Sequence, residues 1–346
     1  GGMMKKINVA VAGYGMAAKI FHLPVLSCIE EFNIKKLYSP SIKNADDLYS
    51  NIEKTANINS LMTPEIDLVV IATPNHTHYE LAKLFLENGK NIVVEKPFTV
   101  TSAQAQELEE LAAKKHLLLS VHHNRRWDGP FLTVKKIIKD GTIGTITYFE
   151  SHFDRFRPQV RERWKESSIQ GAGIVYDLGP HLIDQALHLF GMPQRIYADI
   201  QMQRKDSKSP DFFEIKLFYP HMNAILKAGM LVNYPSPHFL LCAEGGTFIK
   251  YGYDTQEAFL NQGLRPCTTK NWGEDNPENY GLLRCFDGRE EKIKTVAGSY
   301  VQYYKDIYMS LITGREPEVT ARDGRNTVLI IEKAVISSHE QKIITL

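Results

Sequence analysis

No stretch of this sequence stays apolar for the ~18 to 20 residues that a membrane-crossing helix needs, so a membrane-spanning protein is not expected. Neither sign of charge prevails. The 41 basic and 40 acidic residues leave a net charge of +1, and no basic tail or stripe stands out, which argues against nucleic acid or a membrane surface as partner. Cysteine is scarce: Cys28, Cys242, Cys267 and Cys285 show no C-x-x-C spacing. They read as free thiols of a reducing cytoplasm, with no disulfide framework and no metal site. Internal repeats and low-complexity tracts are absent. The first strand begins almost at once, so no signal peptide is expected, and the leading Gly1-Gly2 is set aside as a cloning remnant. What remains is a chain of 346 residues, 43% hydrophobic and 23% charged. That is ordinary globular composition, with length for about two domains.

The first third alternates buried strands with helical segments. Strands are expected at 7–12, 32–38, 67–72, 91–95 and 116–122, with helices at about 17–28, 76–88 and 101–115. Thr101 and Gln104 form a capping-box pattern at the start of the last of these. Repeated βα units imply a doubly wound parallel sheet. Beyond a helix near 130–139 the texture changes. Strands at 145–156, 212–219, 224–232, 238–244 and 247–251 lie close together with turn signals between them, which implies an antiparallel sheet. The polar segment 201–211 reads as a mobile loop, 262–280 as irregular, and 323–340 as a closing helix. The chain therefore divides into 1–122, a dinucleotide-binding domain, and 123–346, an α+β domain for substrate and oligomerisation.

Chemistry is concentrated at strand ends. The run Val9-Ala10-Val11-Ala12 breaks directly into Gly13-Tyr14-Gly15-Met16-Ala17, a G-x-G-x-x-A pattern. The glycines permit a sharp turn and close approach of a pyrophosphate, and the following helix presents free N–H groups to it. The alternative is a tight βα turn without a ligand. Thr73-Pro74-Asn75 with His78, then Glu95-Lys96-Pro97, then His122-His123-Asn124-Arg125 follow three further strands. In an open α/β sheet these ends face the ligand. Lys96 suits proton traffic or polarisation of a substrate oxygen, although an ordinary exposed lysine fits the same position. Asp177, His181 and Asp184 share one face at helical spacing, after Gly171 and Gly173. A His oriented by a carboxylate is a general base; metal binding is the rival role, without a supporting ligand spacing. In the polar strand after Phe149, read with period two, Phe153 and Arg155 take one face and His152 and Asp154 the other. This strand either lines a pocket for a many-hydroxyl ligand or is simply solvated.

Together these motifs resemble the glucose–fructose oxidoreductase/inositol dehydrogenase (Gfo/Idh/MocA) family along nearly all of the chain. Phe21-His22-Leu23-Pro24, His123 to Trp127 and Glu150 to Trp164 are similar to a narrower subgroup that includes NADP-dependent scyllo-inositol dehydrogenases. The resemblance implies a Rossmann domain followed by a large open antiparallel sheet with helices on one face. It also implies pairing through that sheet as dimers or dimers of dimers. It assigns catalysis to Lys96, which would stabilise charge on the reacting oxygen, to His181 as general base, and to Asp177, which would orient the pair. No metal is implied. Cofactor contacts are expected at Gly13, Tyr14, Gly15, Met16, Ala17, Ser39, Thr73, Pro74, Asn75, His78, Glu95, Lys96 and Asn124. Substrate contacts are expected at Arg125, His152, Asp154, Arg155, Trp164 and Tyr176.

NADP is preferred over NAD. The second strand ends Leu37-Tyr38-Ser39-Pro40-Ser41 with Lys43 beyond, so no acid repels a 2′-phosphate, and Ser39, Ser41 and Lys43 are suited to bind one. Against this, the subgroup often carries an Arg where this chain has Pro40. The expected activity is a cytoplasmic NAD(P)-dependent dehydrogenase of a cyclic polyol, with a sugar or sugar derivative as the alternative substrate. A non-catalytic dinucleotide sensor is the alternative of another class.

Overall fold

The computed structural model describes residues 4–42 and 49–346, so Lys43 lies outside the described residues. The chain packs into two compact units. The first comprises Gly1–Asn124, Gln256–Trp272 and Ser299–Arg325; the second comprises Arg125–Thr255, Gly273–Gly298 and Asn326–Leu346. The segments 256–272 and 299–325, grouped with the second domain in the sequence reading, thus pack with the first unit.

In the first unit, β1 (Ile7–Ala12), β2 (Phe32–Tyr38), β3 (Glu53–Thr55), β4 (Leu68–Ile71), β5 (Asn91–Val94) and β6 (Leu119–Val121) form a parallel sheet. Their order is β3-β2-β1-β4-β5-β6. The order reverses between β1 and β4, where a doubly wound sheet opens its ligand crevice. The central strands are buried on both faces, as their unbroken Val/Ile/Leu/Ala content requires: Val9 to Ala12 and Leu68 to Ile71 have no exposed surface. The capping box forms as read, with the Gln104 N–H on Thr101 Oγ1 and the Gln104 side chain on the Thr101 N–H. The helix Val301–Thr313, absent from the sequence reading, buries Tyr303, Tyr304 and Ile307 in this unit. Its inward residues are largely tyrosines, so its apolar periodicity is muted.

Cys28 and Cys267 are not free thiols; they form a disulfide with Cα atoms 5.4 Å apart, and the argument for a reducing compartment from unpaired cysteines falls with it. Cys242 and Cys285 are free.

The second unit is built on β7 (Ile146–Asp154), β8 (Arg195–Gln201), β9 (Phe212–Phe218), β10 (Asn223–Gly229), β11 (Phe239–Ala243), β12 (Gly246–Lys250), β13 (Gly281–Cys285), β14 (Glu290–Ile293) and β15 (Ile344–Thr345). The sheet runs β14-β13-β12-β11-β7-β10-β9-β8-β15. Its ladders are antiparallel except between β7 and β10, so the sheet is mixed at its centre. Alternate residues such as Phe213, Ile215 and Leu217, or Ala224, Leu226 and Ala228, are buried. They share a core with Phe131 and Val134 of the helix Gly129–Asp140, with Leu182, Ile183 and Ala186 of the helix Gly179–Phe190, and with Ile330 and Ile331 of the helix Ala321–Glu340. The Arg195–Gln201 strand escapes a sequence reading because only Ile196 and Ala198 along it are buried. Among the described residues no helix is long and apolar enough to cross a membrane.

The 201–211 segment is not a free loop. Arg204 is buried, with Nε 2.9 Å from Asp211 Oδ2 and Nη2 3.2 Å from Glu166 Oε1, and its Nη1 donates to the Arg157 and Gln159 carbonyls. The polar composition that suggested solvent instead supplies partners for one interior guanidinium. Truncation leaves the buried Asp211 carboxylate without its cation, while Glu166 keeps Arg163 at 2.9 Å, so Arg204→Ala is expected to destabilise the protein by about 3 kcal/mol. Chemical denaturation checks this; a loss below about 1 kcal/mol, the range of surface pairs, would show that Arg204 is not holding the segment.

Candidate active site

The carboxyl ends of β1, β2, β4, β5 and β6 carry the polar residues expected at the cofactor. At the end of β1, Gly13 has φ +112° and donates its N–H to the Tyr38 carbonyl at the end of β2. A Cβ on Gly13 would stand 2.3 Å from the Ala72 carbonyl oxygen, so no other residue fits between β1 and β4. Gly15 differs. Its Cβ would meet nothing within 4 Å, which leaves the main chain open on that side. Ala17 opens the helix Ala18–His22 without a capping side chain, leaving N–H groups for a ligand. The turn therefore fits a pyrophosphate. Met16 is exposed and the Tyr14 ring lies under the Lys19 ammonium at 4.4 Å. Ser39 directly follows the strand end that Gly13 touches.

After β4, Thr73 accepts the Thr77 hydroxyl, Pro74 gives its carbonyl to the same hydroxyl, and Asn75 is buried. His78 sits between two carbonyls, with Nδ1 2.8 Å from Pro97 O and Nε2 2.8 Å from Thr73 O. It ties the segment after β4 to the segment after β5, and burial pushes its pKa down. The Lys96-Pro97 peptide is cis. Glu95 is buried, and its carboxylate is taken up within the unit. Oε1 lies 2.6 Å from His22 Nε2 and 2.8 Å from His122 Nδ1, and Oε2 accepts the Lys96 N–H at 3.0 Å. Burial opposes ionisation of Glu95, but the imidazoles of His122 and His22 outweigh it and hold the carboxyl well below its ordinary range. Burial, then the neighbouring His22, pushes His122 down to about 4. The Tyr304 hydroxyl completes the group, 2.5 Å from His22 Nδ1. Asn124, at the end of the first unit, is buried.

In the second unit, Asp177 ends the short helix Ile174–Asp177 and His181 lies in the first turn of Gly179–Phe190. The expected single helical face is interrupted at Leu178. Pro180 lacks an N–H, and the His181 N–H bonds to Leu178 at 3.1 Å, three residues back. Lys165 Nζ is 3.2 Å from Asp177 Oδ1, and Trp164 lies beside that ammonium. Asp184 lies one turn further along the same helix as His181. It forms a bidentate bridge to Arg126, both bonds 2.8 Å and both residues buried. The His181 ring is edge-on to Phe153 at 6.3 Å, and the Arg125 guanidinium lies over the other end of that contact, 5.4 Å from the Phe153 ring centre. Burial raises the pKa of Tyr176. Arg155 continues β7 through backbone bonds to Gly229 and Val232.

His152 and Asp154 lie on the face of β7 opposite Phe153. His152 Nδ1 is 2.8 Å from Asp154 Oδ2, its Nε2 bonds to Glu150 Oε1, and Ser236 donates to Asp154 at 2.6 Å. Phe153 is thus brought to His181 and Arg125 to Phe153, whereas His152 and Asp154 are engaged with each other and Glu150.

Two family models cover the chain: the NAD-binding Rossmann fold of the oxidoreductase family over residues 7–123, and its C-terminal alpha/beta domain over residues 135–346. The chain belongs to the Gfo/Idh/MocA oxidoreductase family. It is an NAD(P)-dependent oxidoreductase. It is 38% identical to scyllo-inositol 2-dehydrogenase (NADP(+)) IolW of Bacillus subtilis, covering 98% of this chain and 96% of that one. It is 40% identical to the uncharacterised oxidoreductase YdgJ of Escherichia coli, over 99% and 100% of the two chains. The solved structure of yvaA from Bacillus subtilis matches with a TM-score of 0.95 at 38% identity, covering 99% of each chain. An oxidoreductase from Bacillus cereus matches with a TM-score of 0.91 at 31% identity, again over 99% of each.

Within this Gfo/Idh/MocA chain, the sequence reading missed the partners of Glu95. His22 sits in an otherwise apolar Phe21–Leu26 helix turn, where a lone polar group on a buried face was the available signal, whereas Tyr304 stands among Tyr300, Tyr303, Ile307 and Tyr308 and nothing in the sequence sets its hydroxyl apart. The His152 group carries a pH signature. Burial lowers its pKa, but Asp154 and Glu150 outweigh burial and raise it above 6.5. A raised folded-state value contributes stability that is complete below 6.5 and lost as the pH rises through the folded value. The melting temperature should fall over that alkaline interval, and His152→Gln should flatten the slope. An unchanged slope in the variant would remove His152 as its source.

Proposed function

We propose that this protein moves a hydride between a nicotinamide cofactor and a secondary alcohol or ketone of a cyclic polyol, with an inositol of the scyllo type as substrate. The observation that carries this is full-length similarity to a scyllo-inositol 2-dehydrogenase (NADP(+)) in a chain that also holds Lys96, Asp177 and His181. The nicotinamide, when bound, supplies the hydride acceptor or donor. The glycine turn from Gly13 to Ala17 holds its pyrophosphate. Lys96 donates a hydrogen bond to the reacting oxygen and stabilises the charge that grows on it. His181 removes the hydroxyl proton, so that alcohol oxidation leaves the proton on the imidazole and the hydride on the cofactor. Asp177 orients this exchange while paired with Lys165. Phe153, which neighbours His181, and Arg125, which lies over the Phe153 ring, orient the polyol.

NADP is the preferred cofactor on this reading: the named relative uses NADP(+), and Ser39 rather than an acid follows β2 beside the glycine turn. Ser39→Asp should shift the ratio of kcat/KM values toward NAD by repelling a 2′-phosphate; steady-state kinetics with both cofactors would show an unmoved ratio if this side chain does not read the ribose. Dependence on a nicotinamide cofactor favours a cytoplasmic location. The family resemblance favours pairing of two copies through the large sheet.

A sugar substrate is the second reading. A levoglucosan dehydrogenase is 34% identical over 132 residues, 37% of this chain. Absorbance of the reduced cofactor with a panel of inositols and sugars decides between the two, and cofactor binding without any turnover would favour a sensor. On the best substrate, Lys96→Ala and His181→Ala should each lower kcat by ~10²-fold or more while the cofactor still binds. A near-normal rate in either variant removes that residue from the chemistry.

A further inference from the structure

Glu95 stands next to the proposed catalytic lysine, yet its carboxylate is directed into the interior. A carboxylate can only accept hydrogen bonds, so His22 Nε2 and His122 Nδ1 both donate to Oε1, and Lys96 donates its backbone N–H to Oε2. With its proton on Nε2, His22 uses Nδ1 to accept the Tyr304 hydroxyl. His22 has no exposed surface, and Glu95 and His122 are nearly as enclosed. We infer that His22, Glu95, His122 and Tyr304 form a positioning brace for Lys96, fixing the backbone from which its ammonium reaches the reacting oxygen. The inference rests on the proposed role of Lys96, and it gives Glu95 a different task from the cofactor contact implied by family resemblance.

The geometry favours a brace over two simpler readings. As an ordinary interior ion pair, the group would have no reason to reach the backbone of one residue. Here the backbone around Lys96 is held on both sides: Glu95 takes the Lys96 N–H, and His78 lies 2.8 Å from the carbonyl of Pro97. The strand behind it is also fixed, since the Glu95 N–H bonds to the Ile71 carbonyl at 2.9 Å. Two imidazoles and a carboxylate are also a metal-ligand set, and their donor atoms lie within 4.8 Å of one another. However, ligands at ~2.0 to 2.1 Å from a tetrahedral zinc stand roughly 3.3 Å apart. The separations of 2.6 and 2.8 Å are those of direct hydrogen bonds.

The energetic argument is one of donor count. Three N–H groups converge on a carboxylate removed from water, and each removes part of the desolvation cost. Glu95→Gln keeps the volume but turns an N–H2 toward a pocket that presents only donors. The side chain must then shift, and the Lys96 backbone with it. A misplacement of about 1 Å can cost ~10²-fold in rate.

The test uses the full-length protein with its cofactor and the best substrate of the panel. Glu95→Gln should lower kcat roughly 10- to 100-fold while the cofactor dissociation constant, read by fluorescence of the reduced cofactor, stays within about threefold. In a Lys96→Ala background the same substitution should cost less than about twofold, because the brace acts only through that lysine. Rescue by conservative variants separates donation from bulk. His22→Gln and His122→Asn retain an N–H toward Glu95 and should recover to within about threefold of the parent kcat, whereas His22→Leu should match Glu95→Gln. If Glu95→Gln does not fold, as judged by circular dichroism, the His22→Gln and His22→Leu pair carries the test. An equal loss from Glu95→Gln in both backgrounds, no loss at all, or a large fall in cofactor affinity alone would overturn the brace. So would a stoichiometric metal in the purified protein whose removal abolishes activity. Lys96→Ala with a normal rate would overturn the catalytic reading itself, a result separate from the failure of the brace in an enzyme that does need Lys96.

Discussion

The backbone of Gly13 is packed against the carbonyl of Ala72 too closely for any side chain to stand between them. A side chain at that position would overlap the end of β4, and the backbone there already has φ +112°. The contact joins the two strands between which the sheet reverses its order. With β1 and β4 seated together, the Gly13 N–H reaches the end of β2, and β4 offers the Ile71 carbonyl to the Glu95 N–H at the end of β5. The polar strand ends are therefore referenced to one another through main-chain bonds as well as through the side chains of His78 and Glu95. A hydride-transfer site benefits from such rigidity, since small displacements of reacting groups cost rate steeply.

A second regularity concerns interior charge. Glu95 is met by two imidazoles, Asp184 by Arg126, Asp211 and Glu166 by Arg204, and Asp275 by Lys250. Replacing such pairs by apolar residues is often neutral or stabilising in other proteins, so their net energy is a poor reason for their presence. Each pair instead closes a connection that hydrophobic packing leaves loose. Arg126 links the segment after β6 to the helix Gly179–Phe190, Arg204 holds the chain after β8, and Lys250 holds the 273–298 return at the end of β12.

Much of the first unit was legible because a parallel sheet buried on both faces writes itself as continuous apolar runs. Val9 to Ala12, Leu68 to Ile71 and Ile92 to Val94 could be read directly, and Thr101 with Gln104 marked a helix start by side-chain chemistry alone. The second unit was less legible where burial is partial. Arg195–Gln201 has only two buried positions, and Val301–Thr313 turns tyrosines inward, so both lack the contrast on which periodicity depends. The 201–211 segment misled because composition does not reveal whether a polar residue meets water or Arg204. Asp184 looked like a third member of a His–Asp group because spacing along one helix was visible, while its partner Arg126, 58 residues away in sequence, was not. His22, Glu95, His122 and Tyr304 come from four separate stretches of chain, and their meeting depends on how those stretches pack.

The first unit is not one continuous piece of polypeptide. Tyr304 of the 299–325 segment stands 2.5 Å from His22, Tyr303 of the same helix stands 2.7 Å from the Ser120 hydroxyl, and Cys267 is bonded to Cys28. A fragment stopped at Asn124 would keep all six parallel strands yet expose the Ser120 and His22 flanks that those tyrosines close. The nucleotide-binding half of this enzyme is thus completed only after eight of the nine strands of the other half, β7 to β14, have been synthesised. Nascent chains must carry an unfinished dinucleotide fold through most of translation.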